Sequence, residues 1–391
     1  MFSTIDRKLH SDRKRMLASL YSKTTVYSSR DLYKISQELI RGRLLFIIEA
    51  ATADQTPLNM LEYSLGISMD FVTAYLFGIQ NSSNLLIDTD IRREWLDLHQ
   101  NKTKYPFWFM GFPGLIWLLA KFSRQVTSQY VVSSSREVRD LCLQMLKKTE
   151  MSSQSSLASR EDESTDWTKP VVYDQLLRKL RTSVEVAHPD PDYSSKTDLH
   201  LRNEIASELM DHIVAGTTTT GWTLVYIMHE VSQRPKLQAL LRAELFTMKN
   251  PIKVTSLSSS TGNSNTEHLD HRDFPSPSDL DGLPLLEAII LESLRLHPAV
   301  PGPQPRVTPS GISGKPVSLS GYGDIPSDVR VSAQAYSLHR NADVFPDPEA
   351  WKPERWLRAN PDERNKMEKW FWAFSSGGRM CVGKEFAMYR K

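Results

Sequence analysis

From Asp198 to Gln233 apolar residues recur at three- and four-residue spacing without a break, which predicts a single helix of 36 residues. At 1.5 Å per residue it is about 54 Å long, enough to cross a whole domain. Asp198 is a good N-cap, and Pro235 blocks continuation at the other end. The middle of this helix is unusual. Ala215-Gly-Thr-Thr-Thr-Thr-Gly221 places two glycines and four β-branched threonines where a helix prefers neither, at roughly 1 kcal/mol per glycine relative to alanine. Glycine lets another body approach the backbone, and a threonine hydroxyl can bond a carbonyl one turn back and open a groove. A helix crossing that needs small residues explains the same composition, so both readings stand.

The rest of the chain extends this helical character. Residues 1–248 are mostly helical by period, and Leu285–Leu296 forms a second strongly amphipathic helix ended by His297-Pro298. Two polar segments read as loops within one domain: Met151–Trp167, with six serines between 152 and 164, and residues 249–281, with seven between 256 and 278. The character changes over residues 282–391. Val300–Val331, with Val-Ser-Leu-Ser and Val-Arg-Val-Ser alternation among prolines and glycines, predicts short strands. Asn341–Phe374 reads as an ordered meander, and Lys384–Lys391 as the start of a helix. The fold class is therefore mainly α with a small β subdomain, and residues 1–391 make a single domain.

Composition narrows the function. Forty-eight Lys and Arg against 46 Asp and Glu leave a formal charge of +2, which gives no reason to expect a nucleic-acid partner. The N-terminal residues carry no apolar signal segment. The most apolar stretch, Pro106–Ala120, is shorter than the roughly 20 residues of a spanning helix and is interrupted by Gly111, Pro113 and Gly114. Its aromatic residues suit either a core or a membrane interface.

Two cysteines, Cys142 and Cys381, make no disulfide framework. Cys142 shares a helix side with Val138, Leu141 and Met145 and reads as a small buried hydrophobe. Cys381 is different. Gly377, Gly378 and Gly383, with Arg379 and a helix start immediately after, describe a tight turn that favours a thiolate. A lone thiolate cannot build a tetrahedral zinc or iron–sulfur site from protein ligands. It suits a metal macrocycle that needs one axial ligand, while a nucleophilic cysteine served by a histidine base is the competing idea.

Phe374-x-x-Gly377-x-Arg379-x-Cys381-x-Gly383 resembles the haem-binding signature of the cytochromes P450, with every defining position filled. Glu292-Ser-Leu-Arg295 resembles the family's E-x-x-R helix, and Phe345-Pro-Asp-Pro with Pro353-Glu-Arg355-Trp resembles its meander. Ala215-Gly216-Thr-Thr218-Thr219 resembles the oxygen-binding groove. The resemblance implies haem b as cofactor, with Cys381 as its axial thiolate. Arg379 and Arg306 would bind propionates, and Glu292, Arg295 and Arg355 would form a structural network. His10-Ser-Asp-Arg-Lys14 resembles the basic helix at a further propionate, although His10 and Lys14 stand where the family often has Trp and Arg. The same helix would suit an electron donor's acidic surface. Thr218 occupies the family's usual acid position and Thr219 its usual alcohol, so the carboxylate proton source is missing.

The implied activity is that of a monooxygenase resembling filamentous-fungal members of secondary metabolism. It would use O2, a small lipophilic organic substrate and electrons from an NADPH-cytochrome P450 reductase. The implied location is the cytosolic face of the endoplasmic reticulum membrane, with Pro106–Ala120 touching the membrane surface. Against the family pattern the chain corresponds to a middle and late portion truncated at both ends, an expectation that carries poor expression and weak haem retention with it. A reductant-independent haem-thiolate isomerase or dehydratase, and a non-catalytic haem-binding remnant, are the competing readings.

Overall fold

The computed structural model describes residues 6–102, 113–121, 129–158, 169–187, 194–252, 274–308, 317–319 and 321–390. The chain is mainly helical and divides into two compact units, Met1–Trp222 with Glu385–Arg390, and Thr223–Lys384 with Lys391.

The first unit opens with α1 (Arg7–Leu17), whose N-cap Asp6 accepts the Leu9 N–H, followed by α2 (Lys23–Ser28) and α3 (Arg30–Gln37), capped by the Ser22 and Ser29 hydroxyls. A π-helical segment, Glu38–Leu45, leads into α4 (Phe46–Ala53). Helix α5 (Met60–Phe77) is apolar on nearly every side and is buried almost throughout from Ser64 to Phe77. Its one buried charge, Asp70, accepts the backbone N–H groups of Leu85 and Leu86 and the Ser83 hydroxyl, while Arg92 donates to the carbonyls of the same two leucines. Both polar sides of one connecting segment are thus held before α6 (Thr89–Lys102). Then come α7 (Pro113–Lys121), α8 (Gln129–Ala158), α9 (Val171–Ala187) and the long α10 (Ser194–Ser232).

Helix α10 has 39 residues and begins four residues before the expected cap, so Asp198 lies inside it. Helix α8 corrects the expected loop at Met151–Trp167, since it runs on to Ala158. The Ser152 hydroxyl bonds the Lys148 carbonyl one turn back and also Asn81, so a serine-rich run stays helical. The remainder of that loop, residues 159–167, lies outside the described residues, as does 253–273 of the second one.

Gly221 settles one half of the question posed by the centre of α10. A Cβ there would stand 2.6 Å from Leu65 Cδ2 and 3.0 Å from Leu65 Cα on α5, so this glycine is a helix-crossing residue. Gly221→Ala gains about 1 kcal/mol of helix propensity, but overpacking against a backbone atom costs about 1–3 kcal/mol. A lower denaturation midpoint is expected; a raised one would refute the crossing role.

The second unit takes the end of α10 and adds α11 (Pro235–Leu245), α12 (Pro277–Asp281) and α13 (Pro284–Leu296). Strand β1 (Pro303–Val307) pairs antiparallel with β4 (Arg330–Gln334), matching Arg306 with Val331, and β2 (Val317–Leu319) pairs with β3 (Tyr322–Ile325). Residues 309–316 of the expected strand region lie outside the described residues.

Helices α14 (Ala335–Leu338), α15 (Glu354–Arg358) and α16 (Pro361–Trp370) follow. The last two correct the reading of Asn341–Phe374 as a meander throughout. Asn360, Pro361 and Glu363 form a capping box with proline at the first turn, enough to start a ten-residue helix of polar composition. One core of this unit gathers Ala288, Val344, Phe345, Trp356 and Met367, and another Leu237, Ile289, Leu296 and Trp351. Helix α17 (Lys384–Arg390) packs with the first unit from Glu385 on, placing Phe386 against Tyr75.

Candidate functional site

Helix α13 places Glu292 and Arg295 three residues apart on one buried face, both with side chains at 0% exposure. Arg295 grips the carboxylate with two nitrogens, at 2.9 Å and 2.8 Å, and Arg355 adds a third guanidinium bond at 3.0 Å. The Trp356 indole and the Lys352 backbone N–H complete the set at 2.9 Å and 2.8 Å. The remaining Arg295 hydrogens go to the carbonyls of His339, Pro348 and Ala350, so one guanidinium ties α13 to the segment preceding α15. Burial alone would raise the Glu292 carboxyl; the bonds and charge of Arg295, the Lys352 N–H and the Arg355 charge hold it below the ordinary carboxylate range instead.

His339, which no sequence signal singled out, joins this network to the cysteine loop. Its ring is fully buried and stacked on Phe371 at 5.4 Å. Nε2 accepts the Trp372 N–H at 2.7 Å, which leaves Nδ1 to donate to the Arg295 carbonyl at 2.8 Å. Burial pushes the imidazole down to about 4, because protonation would both charge a desolvated ring and remove the acceptor for Trp372. A histidine whose folded value is depressed stabilises fully above its unfolded value near 6.5 and loses that contribution as pH falls toward 4, about 3 kcal/mol in all. Denaturation midpoints measured from pH 7 to pH 4 should therefore fall less steeply for His339→Gln than for the parent protein; equal slopes would refute this.

From Trp372 the chain turns into the cysteine loop. Ser375 and Gly377 both adopt left-handed backbone, at φ 60° and 67°. Gly377–Arg379 forms one 3-10 turn, and the Cys381 N–H returns to the Phe374 carbonyl at 2.9 Å. The Cys381 side chain is exposed, Phe374 and Arg379 are half-buried, and a Cβ on Gly383 would lie 4.0 Å from the Cys381 sulfur. Arg306, half-buried on β1, reaches this loop and donates to the Ser375 hydroxyl at 3.2 Å. The second unit therefore brings together Cys381, Arg379, Phe374, Gly377, Gly383 and Arg306, with Glu292, Arg295 and Arg355 behind them.

The other expected site residues belong to the first unit. Ala215, Gly216, Thr218 and Thr219 lie on α10, with Ala215 exposed and the other three half-buried. The Thr219 hydroxyl donates to the Ala215 carbonyl at 2.7 Å, a one-turn-back bond of the kind that competes with the helix ladder. Thr217, one of the four threonines, is buried and bonds the Ile213 carbonyl, so it serves packing. His10 and Lys14 share a face of α1 at i, i+4, with His10 buried and Lys14 half-buried. Cys142 is buried on α8 and its thiol is pushed up to about 12 by burial, in keeping with a packing role.

Comparison with known proteins gives this geometry a family. The family model for Cytochrome P450 matches residues 2–390. Among similar proteins, cytochrome P450 monooxygenase FGM1 of Gibberella zeae is 26% identical over 97% of this chain and 65% of its own length. Cytochrome P450 monooxygenase avaI of Aspergillus versicolor is 24% identical over 100% of the chain and 80% of its own length. Tryptophan 6-hydroxylase fscE of Fusarium equiseti is 26% identical, with coverage of 99% and 66%. The chain thus spans about two thirds of the length of the first and third of these relatives. A family match across nearly every residue makes this chain a member of the cytochrome P450 family.

Proposed function

We propose that the protein is a haem-thiolate monooxygenase that inserts one atom of O2 into a small, lipophilic organic substrate, with electrons from an NADPH-cytochrome P450 reductase. The observation that carries this reading is the exposed Cys381 thiol on a glycine-hinged loop, backed by Arg306 and tied through His339 to the Glu292 network. Members of this family bind haem b, and the donor set fits it. Among the described residues there is no group of three His, Cys, Asp or Glu able to hold a bare metal ion, whereas one soft thiolate suits a macrocycle that brings its own four nitrogens.

In this reading Cys381 holds the iron, and the guanidiniums of Arg306 and Arg379 pair with propionates, where planar multi-donor cations serve carboxylates best. As the family resemblance implies, His10 and Lys14 would supply further propionate contacts, and Phe374, Gly377 and Gly383 would shape the loop that carries Cys381. When bound, the haem supplies oxygen activation, with the thiolate favouring O–O cleavage. Thr219 holds a proton on the hydroxyl that rests on the Ala215 carbonyl. Thr218 adds a second hydroxyl where a carboxylate would act as a proton reservoir.

That missing acid also favours a second reading, a haem-thiolate isomerase or dehydratase that needs no reductant. Peroxide formed per NADPH consumed, in a reductase-reconstituted system, separates the two. Thr219→Ala is expected to raise the ratio without loss of haem. Thr218→Asp is expected to lower it, since a positioned proton donor is worth roughly 10²–10⁴-fold in rate. An unchanged ratio in both variants would remove the hydroxyl relay and favour the reductant-independent chemistry.

A cytosolic location at the endoplasmic reticulum membrane accompanies the monooxygenase reading. No helix among the described residues is long and apolar enough to span a bilayer. Surface contact is supported by α7, where Leu115, Trp117 and Leu118 are exposed and the Lys121 ammonium sits 3.8 Å over the Trp117 ring. Residues 106–112 of the expected contact segment lie outside the described residues.

A further inference from the structure

Within the first unit, a buried phenol meets a buried imidazole that the proposed chemistry does not use. Tyr21 follows α1, and His212 lies three residues before Ala215 on α10. Their exposures are 4% and 9%. The Tyr21 hydroxyl is 2.8 Å from His212 Nδ1, and the rings stack at 5.3 Å with 20° between their planes. On the far side of the imidazole, Nε2 lies 3.4 Å from Oε1 of Glu208, whose carboxylate is 1% exposed and has Arg13 4.0 Å away. Nε2 makes no hydrogen bond among the described residues, but the negative charge of Glu208 beside it favours the proton on that nitrogen, the tautomer in which Nδ1 accepts from Tyr21.

This arrangement has a specific chemical capacity. A phenol that loses an electron becomes a strong acid, so its oxidation inside a protein is easy only where a base waits on the hydroxyl. Tyr21 has such a base, and Glu208 is placed to balance the imidazolium that results. Its neighbours lack one. Tyr75 stands edge-on to Tyr21 at 5.9 Å, but its hydroxyl donates to the Leu20 carbonyl, and Tyr389 meets the Ser36 hydroxyl. Other aromatic rings of the same unit adjoin the pair. Phe386 lies 5.8 Å from Tyr21 and stacks on Tyr75 at 4.9 Å. Beyond it, Phe71, Tyr389 and Tyr27 continue the run of rings at centroid spacings of 5.8, 6.3 and 6.0 Å.

We propose that Tyr21 and His212 form a proton-coupled one-electron donor site, which gives an electron to a haem-derived oxidant when that oxidant is not consumed by substrate. The Tyr21 O–H bond breaks: the electron goes to the oxidant, the proton to His212 Nδ1, and a neutral tyrosyl radical remains beside an imidazolium paired with Glu208. An electron from the reductase and the proton from His212 restore the phenol. The identity of the oxidant rests on the haem reading, whereas the donor chemistry of the pair does not.

Two oxidants separate these. In the haem-loaded protein, a photogenerated ruthenium(III) tris-diimine complex is the first, and hydrogen peroxide without substrate is the second, with the radical followed by electron paramagnetic resonance after rapid freezing. The expected result is a tyrosyl signal with either oxidant that is lost in Tyr21→Phe and kept in Tyr75→Phe and Tyr389→Phe. In His212→Gln, whose amide accepts a hydrogen bond but not a proton, the radical should form on the order of 10²-fold more slowly. Formation in the unaltered protein should be slower in D2O, a readout that needs no variant to fold. A signal that survives Tyr21→Phe, a rate unchanged in His212→Gln, or no isotope effect would overturn the proposal. A Tyr21 radical with ruthenium but none with peroxide would overturn the haem as its oxidant and leave the monooxygenase reading intact.

Discussion

Replacing Cys381 by serine is expected to abolish the red-shifted Soret band that marks thiolate ligation in the reduced carbon monoxide complex of the haem-loaded protein. Serine keeps the size and the loop geometry, including the backbone bond from residue 381 to the Phe374 carbonyl, but offers an alcohol that does not ionise near neutral pH. Cys142→Ser is the control. Cys142 is 3% exposed, and its thiol is pushed up to about 12, so it is no thiolate donor at neutral pH and its loss should leave the spectrum unchanged. A thiolate-type band persisting in the Cys381→Ser protein would remove Cys381 as the ligand, and the proposed function with it.

The second large effect concerns stability. Glu292→Gln keeps the shape but leaves the guanidiniums of Arg295 and Arg355 facing a neutral amide, and breaking one side of a buried ion network typically costs about 3–5 kcal/mol. One of the five hydrogen bonds to Glu292 comes from the Trp356 indole, so tryptophan fluorescence reports the change directly during urea unfolding. The variant should also lose the acid limb of the parent's stability curve. Because Glu292 is held below the ordinary carboxylate range, its contribution is complete above that range and disappears as pH falls through the lower folded value. A midpoint shift worth less than about 1 kcal/mol would show that the network is not the support the geometry implies.

Much of the second unit was legible in the primary structure because its signals are short. Glu292 and Arg295 lie one helical turn apart, and the loop from Phe374 to Gly383 carries its turn chemistry in its own glycines. The long helix was legible for a related reason, since a period of 3.6 residues repeats often enough to be read despite its unfavourable centre. The helix at Pro361–Trp370 was equally available in its Asn-Pro-x-Glu start, but its polar composition hid it from a reading based on apolar spacing. The serine run of α8 has a loop-like composition, yet the Lys148 carbonyl and Asn81 satisfy the Ser152 hydroxyl in place and the segment stays helical.

The amino-acid sequence by itself determined the family, the mainly helical class, the thiol that stands apart from Cys142, and the unusual threonine run at the centre of α10, all of which reside in local pattern. Only the tertiary structure decided which groups meet. His339 acts between Arg295, 44 residues before it, and Trp372, 33 residues after it. Gly221 is required by Leu65 on another helix, and His212 lies 191 residues from the phenol it faces. Neither period, nor cap, nor motif encodes such partners. They are selected by which faces become buried together, where an unpaired polar group costs about 1–3 kcal/mol and a close-packed helix crossing leaves no room for a Cβ.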